Sequence, residues 1–217
     1  MIKAWILNLL FPEKCLFCGK ILKQGEVHLC TKCSEHQPLI ESCRTKFPFL
    51  SGWKAVWYYE EGPRKSLLRY KFGRRRSYAR AYGRILSTVL LEQQLEYDLI
   101  TWVPVSARRK AERGFDQVEL IAKILGDELG MSPVPCLKKI RHTKAQSTIR
   151  GLAHRRANVL GAYTVLSRER IAGKRILLLD DIITTGSTLS ECAKVLLTAG
   201  AKEVYGAAVA AARQYKQ

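Results

Sequence analysis

The chain has 217 residues, 47% of them hydrophobic, which suits one α/β domain with a small accessory module and excludes a wholly disordered chain. Lysine and arginine number 37 against 19 acidic residues, so the net charge is +18 and the pI is near 9.8. The electrostatic field of a positive net charge attracts polyanions. Nucleic acid is therefore the first partner expected, ahead of phosphorylated small molecules and anionic membrane surfaces.

The first eleven residues, MIKAWILNLLF, place a lysine before an apolar run that is too short to span a bilayer. Pro12, Glu13 and Lys14 follow it, where a secreted protein would carry a cleavage site of small residues. We expect a short helix that caps its own domain, with a targeting role as the minor alternative. No later segment is apolar enough to cross a membrane, and the sequence therefore predicts a cytoplasmic protein with no membrane span.

Four of the seven cysteines, Cys15, Cys18, Cys30 and Cys33, have the spacing C-x2-C-x11-C-x2-C. Two intervening residues let a tight turn aim both thiolates of a pair at one metal, and two such turns complete a tetrahedral site. Disulfides would conflict with a cytosolic chain, and a redox-active C-x-x-C would not need two copies. The sequence predicts a structural Zn²⁺, because sulfur fills all four positions and leaves none for water. Cys43 has no partner three residues later.

The remainder of the chain indicates an α/β domain over residues 49–217, after a zinc-binding finger with an N-terminal helix over 1–48. Residues 34–50 are polar and irregular and indicate a linker. Helical patterns occur at 116–129 and 187–199. Strand composition is found at 55–60, 98–105, 162–166, 175–179 and 203–212. Because strands alternate with helices, we expect a mostly parallel sheet with flanking helices.

Residues 64–84 hold nine lysines and arginines and no acid, with Tyr70, Phe72, Tyr78 and Tyr82 among them. Cations that follow a phosphate backbone and rings that stack bases are typical of single-stranded DNA binding. The alternative is a basic amphipathic helix whose tyrosines pack inward. Six cations are predicted to contact nucleic acid: Lys71, Arg74, Arg75, Arg76, Arg109 and Arg113.

A second stretch without acids, residues 138–156, carries seven lysines and arginines and is rich in glycine, serine and threonine. We expect part of it to be a mobile loop.

The sequence ILLLDDIITTGSTL (176–189) carries the most specific pattern of the chain. An apolar strand delivers Asp180 and Asp181 to the carboxyl edge of the sheet, where open α/β sheets bind ligands. Residues 184–188 then open a helix, where unpaired N–H groups and hydroxyls favour an anion and Gly186 permits a positive φ. A ribose 5-phosphate fits both ends of this pattern, since its hydroxyls donate to the carboxylates and its phosphate accepts from the loop.

Two other interpretations of this stretch explain less of it. A Walker B strand that holds Mg²⁺ requires G-x-x-x-x-G-K-[ST] elsewhere, which the chain lacks. An ordinary strand-to-helix turn with an Asp-capped helix explains one aspartate, but not an acidic pair followed by four hydroxyl residues around a glycine.

The same stretch resembles the phosphoribosyl-pyrophosphate loop of type I phosphoribosyltransferases. With the four-cysteine knuckle, VPVSARRKAERGFDQVELIA (103–122) and KKIRHTKAQSTIRGLAHRRANVLGAY (138–163), the chain resembles the ComF family of competence-associated proteins over essentially its whole length. The resemblance implies a type I phosphoribosyltransferase-like domain over 49–217. Family members often have a third cysteine pair in the finger, of which this chain keeps only Cys43, so one zinc site stays complete and a second metal lacks its ligands.

By this resemblance, phosphoribosyl pyrophosphate or a similar ligand binds with Mg²⁺ at Asp180, Asp181, Thr184, Thr185, Gly186, Ser187 and Thr188. Val105, Ser106 and Arg108 match the loop that holds pyrophosphate. The charge that neutralises a leaving pyrophosphate would come from Arg108, Arg109 or a residue of the basic stretch 138–156. The sequence does not identify a catalytic base.

The family is associated with natural transformation, which implies single-stranded DNA as a partner. It also implies other competence proteins as partners, such as a DNA-translocating helicase. The alternative function is that of an active phosphoribosyltransferase in nucleotide salvage or biosynthesis.

Overall fold

The computed structural model describes residues 12–73, 75–141, 143 and 152–213. The helix expected over residues 1–11, most of the loop expected within 138–156 and the candidate contact Arg74 lie outside these residues. Among the described residues, none of the helices combines the length and the apolar character that crossing a membrane requires.

Helices and strands alternate along most of the described chain. In chain order the elements are α1 (Thr31–Glu35), β1 (Gly52–Tyr58), α2 (Glu61–Phe72), α3 (Tyr78–Leu91), β2 (Leu99–Trp102), α4 (Ala107–Arg113), α5 (Gln117–Leu129), β3 (Leu137–Lys139), α6 (Leu152–Val159), β4 (Tyr163–Val165), β5 (Arg175–Ile183), α7 (Ser187–Thr198) and β6 (Glu203–Ala211).

Four strands form a parallel sheet in the order β1-β6-β5-β2, which confirms the α/β fold. Its two central strands are apolar on both faces, as strands covered by helices on each side must be. One face packs against α3 and α5, and the other against α7. Close contact between α3 and α5 depends on Gly83, where a Cβ would lie 2.6 Å from the side chain of Ile124.

The strand at 162–166 was expected to belong to the alternating parallel sheet, and this placement is wrong. Residues Tyr163–Val165 pair in antiparallel fashion with Leu137–Lys139 and form a separate two-stranded sheet. A three-residue strand has too little periodicity to reveal its partner, and β3 itself was not predicted. The β3–β4 pair places Lys139 and Tyr163 beside the carboxyl end of β5.

Two strand ends also differ from the prediction. The strand β2 stops at Trp102, before Pro104, which has no N–H to donate to a neighbouring strand. The strand β5 continues four residues beyond the predicted end at residue 179, because β6 is long enough to pair with it as far as Ile183. Asp180 and Asp181 therefore lie within the strand and not after it, so they point to opposite faces of the sheet.

The basic stretch 64–84 lies in two helices, since α2 ends at Phe72 and α3 begins at Tyr78. Tyr70, Tyr78 and Tyr82 are all buried between them and the sheet. The interpretation of these three rings as base-stacking platforms is therefore wrong. Burial of their apolar surface in the core stabilises the fold, so the rings are not available to stack on bases. Phe72 is the exception in this stretch, with 68% of its surface exposed.

Residues 34–50 are more ordered than the predicted linker. Ile40 and Phe47 are buried, and the Ile40 N–H donates to the Val56 carbonyl at 3.0 Å. Leu39 forms an antiparallel bridge with Trp57, so this segment extends the sheet beside its edge strand β1. The sequence missed this because isolated apolar residues in a polar segment carry no period.

The zinc-binding finger is held against α2. The Arg69 guanidinium donates to the carbonyls of Leu16 and Phe17, at 2.6 Å each. The ring of Phe17 packs edge-on against Trp57, with centroids 5.1 Å apart. The finger thus shares the main hydrophobic core instead of forming a core of its own.

Candidate functional site

A cavity of about 220 Å³ opens at the carboxyl ends of β2 and β5, next to the N-terminus of α7. This is the edge at which parallel α/β sheets bind ligands. Its polar and charged lining includes residues from seven elements and two loops: Lys71, Arg109, Arg113, Gln117, Lys139, Thr143, Tyr163, Asp180, Asp181, Thr184, Ser187 and Thr188.

Asp181 is buried and has two side-chain partners from distant parts of the chain. Lys71 Nζ of α2 donates to its Oδ1 at 2.8 Å, and Gln117 Nε2 of α5 donates to its Oδ2 at 3.0 Å. The Oε1 atom of Gln117 is buried without a hydrogen-bond partner among the described residues. An acceptor in this position suits a hydroxyl group of a bound sugar.

Asp180 accepts a hydrogen bond from the backbone N–H of Asp181 at 2.8 Å. Burial raises the pKa of Asp180 to about 8, and the neighbouring charge of Asp181 contributes in the same direction. Lys71 and Lys139 oppose this rise without cancelling it. A hydroxyl donor or a cation beside Asp180 would favour release of the proton from this carboxyl group.

The loop between β5 and α7 turns at Gly186 and is tightly packed there. Gly186 precedes α7 with φ at +71° and has no side chain to cap the helix. The side chain of Phe47 packs against this glycine, and a Cβ there would lie only 2.2 Å from the ring. The hydroxyls of Thr185 and Ser187 contact each other at 2.8 Å. Of the five predicted loop residues, all but Thr185 line the cavity.

Three cations besides Lys71 surround the acidic pair. Arg109 donates to the Thr143 carbonyl at 2.9 Å, and Arg113 lies partly buried beside it. Lys139 donates to the Tyr163 hydroxyl at 3.1 Å, and burial lowers the pKa of its ammonium group to about 8. These charges are positioned to face phosphate groups on a ligand that reaches Asp180.

The three residues predicted for the pyrophosphate loop have different positions. Val105 lines the cavity, and its N–H donates to Asp116 at 3.1 Å. Ser106 is buried and is the N-cap residue of α4. Arg108 is exposed, pairs with Glu112 at 2.8 Å and is not among the described residues that line the cavity.

The motif Arg-Gly-Phe-Asp-Gln (113–117) joins α4 to α5 and delivers two cavity residues. Gly114 ends α4 with φ at +76°, and Asp116 caps α5 by accepting from the N–H groups of Val118 and Glu119. Arg113 and Gln117 on either side then face the acidic pair. Gln117 was not predicted as a site residue, and its only signal was its place in this motif. Lys139 was not singled out, but it belongs to the basic stretch 138–156, which was one of the predicted sources of a cation.

The six cations predicted to contact nucleic acid fall into two groups. Lys71, Arg109 and Arg113 line the cavity. Arg75 and Arg76 are exposed outside it, and Arg76 donates to the Gly114 carbonyl at 2.6 Å. The sixth, Arg74, lies outside the described residues.

The four cysteines of the finger meet the requirements of a zinc site. Their sulfur atoms all lie within 4.8 Å of one another, and Cys18 Sγ is 3.7 Å from Cys30 Sγ. Two sulfurs of a tetrahedral site with Zn–S bonds of about 2.3 Å lie roughly 3.8 Å apart. The donor set of four thiolates and this spacing fit one structural zinc ion, which supports the metal predicted from the sequence.

Comparison with known proteins places two family models on the chain. A phosphoribosyl transferase domain matches residues 118–217, and a double zinc ribbon domain matches residues 6–48. Competence protein F of Haemophilus influenzae is 28% identical, over 89% of this chain and 95% of its own. DNA utilization protein YhgH of Salmonella typhimurium is 31% identical, over 88% and 86%. Competence protein ComFC of Streptococcus pneumoniae is 29% identical, over 88% and 96%.

Proposed function

Because the chain belongs to the ComF family of competence and DNA utilization proteins, with a phosphoribosyl transferase domain and a zinc finger, we propose that it handles single-stranded DNA during natural transformation. We further propose that it does so in the cytoplasm, together with other competence proteins such as a DNA-translocating helicase. The cavity at β5 binds phosphoribosyl pyrophosphate or a closely similar ligand.

The observation that carries the ligand assignment is the juxtaposition of acceptors and cations in one cavity. Asp180 and Asp181 can accept from vicinal hydroxyls, while the N-terminus of α7 with Ser187 and Thr188 supplies donors for a phosphate. Magnesium would be held at the carboxylates and the ligand's own phosphate oxygens, where it neutralises charge. Within this chain, Arg109 and Arg113 balance the phosphates that extend away from the acidic pair.

The alternative, an active phosphoribosyltransferase, uses the same cavity. Departure of pyrophosphate requires positioned positive charge more than a nucleophile, and Lys139 and Arg109 are placed to provide it. The positive charge favours the DNA-handling proposal, because a small phosphorylated substrate does not require +18 on the chain or the exposed Arg75 and Arg76 outside the cavity.

Ligand binding is tested by isothermal titration of phosphoribosyl pyrophosphate with Mg²⁺ into the whole protein. We expect saturable binding that Asp180→Asn with Asp181→Asn abolishes, because the ribose hydroxyls lose their charged acceptors. Asp127→Asn with Glu128→Gln removes two carboxyl groups from the end of α5 and serves as the control. The absence of heat with the unsubstituted protein would refute this part of the proposal.

DNA binding is tested by fluorescence anisotropy with a labelled oligothymidylate over a salt series. We expect affinity to fall steeply with salt, with a slope of about −0.7 for each phosphate contacted. Arg75→Gln with Arg76→Gln should make the slope less steep by about 1.4, the value for two phosphate contacts. Lys174→Gln with Lys202→Gln, two exposed lysines next to the amino ends of β5 and β6, removes the same charge and should not change it. Weak binding that is independent of salt would contradict the proposal.

A further inference from the structure

Phe72 is unusual among the aromatic residues of the basic stretch. It stands at the C-terminal end of α2 with 68% of its surface exposed, whereas Tyr70, Tyr78 and Tyr82 are buried. A single exposed apolar side chain is common on protein surfaces and by itself indicates nothing. Two further observations indicate that this ring belongs to the ligand site.

The first observation is the position of a cation on the ring. The guanidinium carbon of Arg113 lies 5.1 Å from the centroid of Phe72, within the range of a cation–π contact. Arg113 is partly buried and is directed into the cavity, so α4 supports the ring from that side. With so much of Phe72 exposed, the rest of the ring is available to another planar group.

The second observation is that the ring and the acidic pair share one cavity. Phe72, Arg113, Asp181 and Ser187 all line it. Lys71, the residue before Phe72, forms the ion pair with Asp181. An exposed aromatic ring is therefore built into the rim of a site whose interior presents cations and phosphate-binding groups.

We propose that Phe72 and Arg113 form a stacking platform for a nucleobase of a single-stranded nucleic acid at the rim of the cavity. The inference rests on the proposed function and specifies where a base is held. A phenyl ring stacks on any base regardless of sequence, and the guanidinium beside it adds attraction for the adjacent phosphate. The same chemistry would accept the base of a free nucleotide, and the experiment separates the two sources.

Base stacking is measured by comparing two labelled strands of equal length and charge, oligothymidylate and an abasic strand, in fluorescence anisotropy with the whole protein. We expect the base-bearing strand to bind about tenfold more tightly, which corresponds to about 1.4 kcal/mol, at the same salt slope. Phe72→Ala should remove this preference, and Phe72→Leu should do the same because it keeps apolar bulk without a π face. Phe72→Trp should retain it.

Phe49→Ala is the matched control, since Phe49 is 50% exposed and is not among the residues that line the cavity. It should leave the preference intact. Competition experiments show whether the platform also takes the base of a free nucleotide. Thymidine 5′-monophosphate and, as a control without a base, ribose 5-phosphate are each added to the complex of protein and labelled strand. If only the nucleotide displaces the strand, and only when Phe72 is present, the platform is a mononucleotide site; if the nucleotide does not displace the strand, the base must belong to a strand.

Equal affinity of the unsubstituted protein for the two strands, or a Phe72→Ala protein that keeps the preference, would overturn the platform. If the steep salt dependence of DNA binding persists in that case, the proposed DNA handling stands without the stacking platform. If neither strand binds, both proposals fail together.

Discussion

Lys71 and Asp181 form a buried ion pair, with Nζ 2.8 Å from Oδ1, between residues that are 110 positions apart in the chain. Lys71 belongs to the basic helix α2, and Asp181 belongs to the acidic pair on β5. The basic stretch and the candidate ligand site are therefore in direct contact and are not two separate surfaces. A ligand that changes the partners of Asp181 also changes the position of a cation on α2.

The first prediction concerns the contribution of this pair to stability. Replacement of Lys71 by Gln should lower the free energy of unfolding by about 3 kcal/mol, because the buried carboxylate of Asp181 loses its ion-pair partner and has only Gln117 left as a side-chain partner. Chemical denaturation at pH 7 measures the loss.

The matched control lies on the same helix. Lys65 pairs with Glu61 at 2.5 Å, but both side chains are more than half exposed. Lys65→Gln should therefore cost far less stability than Lys71→Gln, because water screens the exposed pair. Equal losses for Lys65→Gln and Lys71→Gln would show that Asp181 does not depend on its lysine.

The sequence was informative where one segment contained the whole pattern. The apolar run before Asp180 and the Thr-Thr-Gly that follows it predicted a strand, a turn and a helix in the right places, and α7 begins at the predicted Ser187. The end of β5 was predicted too early because two carboxylates normally mark the end of an apolar strand. In the fold, pairing with β6 carries the strand beyond them.

Contacts between distant segments could not be predicted from one sequence. No local pattern indicates that Lys71 reaches Asp181 or that Phe47 packs against Gly186. The alternation of charge and aromatic residues at 64–84 was compatible with both exposed and buried tyrosines. Packing against the sheet determines which alternative holds, and it buries Tyr70 and Tyr82.

The second prediction follows from the raised pKa of Asp180. The unfolded chain releases this proton near pH 3.8, whereas the folded protein holds it up to about pH 8. Between these values the folded state binds more protons, so a rise in pH favours unfolding by up to about 1.4 kcal/mol per pH unit. The free energy of unfolding should therefore fall between pH 5 and pH 8 because of this group.

Asp180→Asn tests this sign, because asparagine has the same shape and does not ionise. The variant should lack the decline, so that its stability relative to the unsubstituted protein rises steadily from pH 5 to pH 8. Denaturation midpoints over this range give the comparison, with the exposed Asp127→Asn as control. A constant difference across the range would mean that Asp180 ionises as an ordinary carboxyl group does.

The third prediction concerns Gly186. Alanine at this position would keep a φ of +71°, which costs about 1–2 kcal/mol, and would place its Cβ against Phe47, which adds about 1–3 kcal/mol. We expect Gly186→Ala to lower the free energy of unfolding by roughly 2–5 kcal/mol and to abolish binding of phosphoribosyl pyrophosphate in titration calorimetry.

Gly161 provides the control, since its φ is +65° and no atom lies within 4 Å of a Cβ built there. Gly161→Ala isolates the cost of the backbone conformation, about 1–2 kcal/mol. Adding Phe47→Ala to Gly186→Ala removes the overlap, and the double variant should lose less stability than the sum of the single ones. Additive losses would contradict a contact between Phe47 and the loop.

The fourth prediction concerns the finger, in which four thiolates form one complete metal site. Purified protein should contain one zinc ion per chain by plasma mass spectrometry, and Cys18→Ser should lose it. Cys43→Ser should keep it, because Cys43 is not part of the cluster. Two zinc ions per chain would contradict this assignment.

Loss of zinc should also destabilise the domain beyond the finger. Arg69 joins α2 to the carbonyls of Leu16 and Phe17, and the ring of Phe17 lies against the fully buried Trp57. Chelation should therefore lower the melting temperature of the whole chain in a single transition and change the tryptophan fluorescence. A fluorescence signal and a main transition that both stay unchanged after the metal is removed would show that the finger folds independently of the domain.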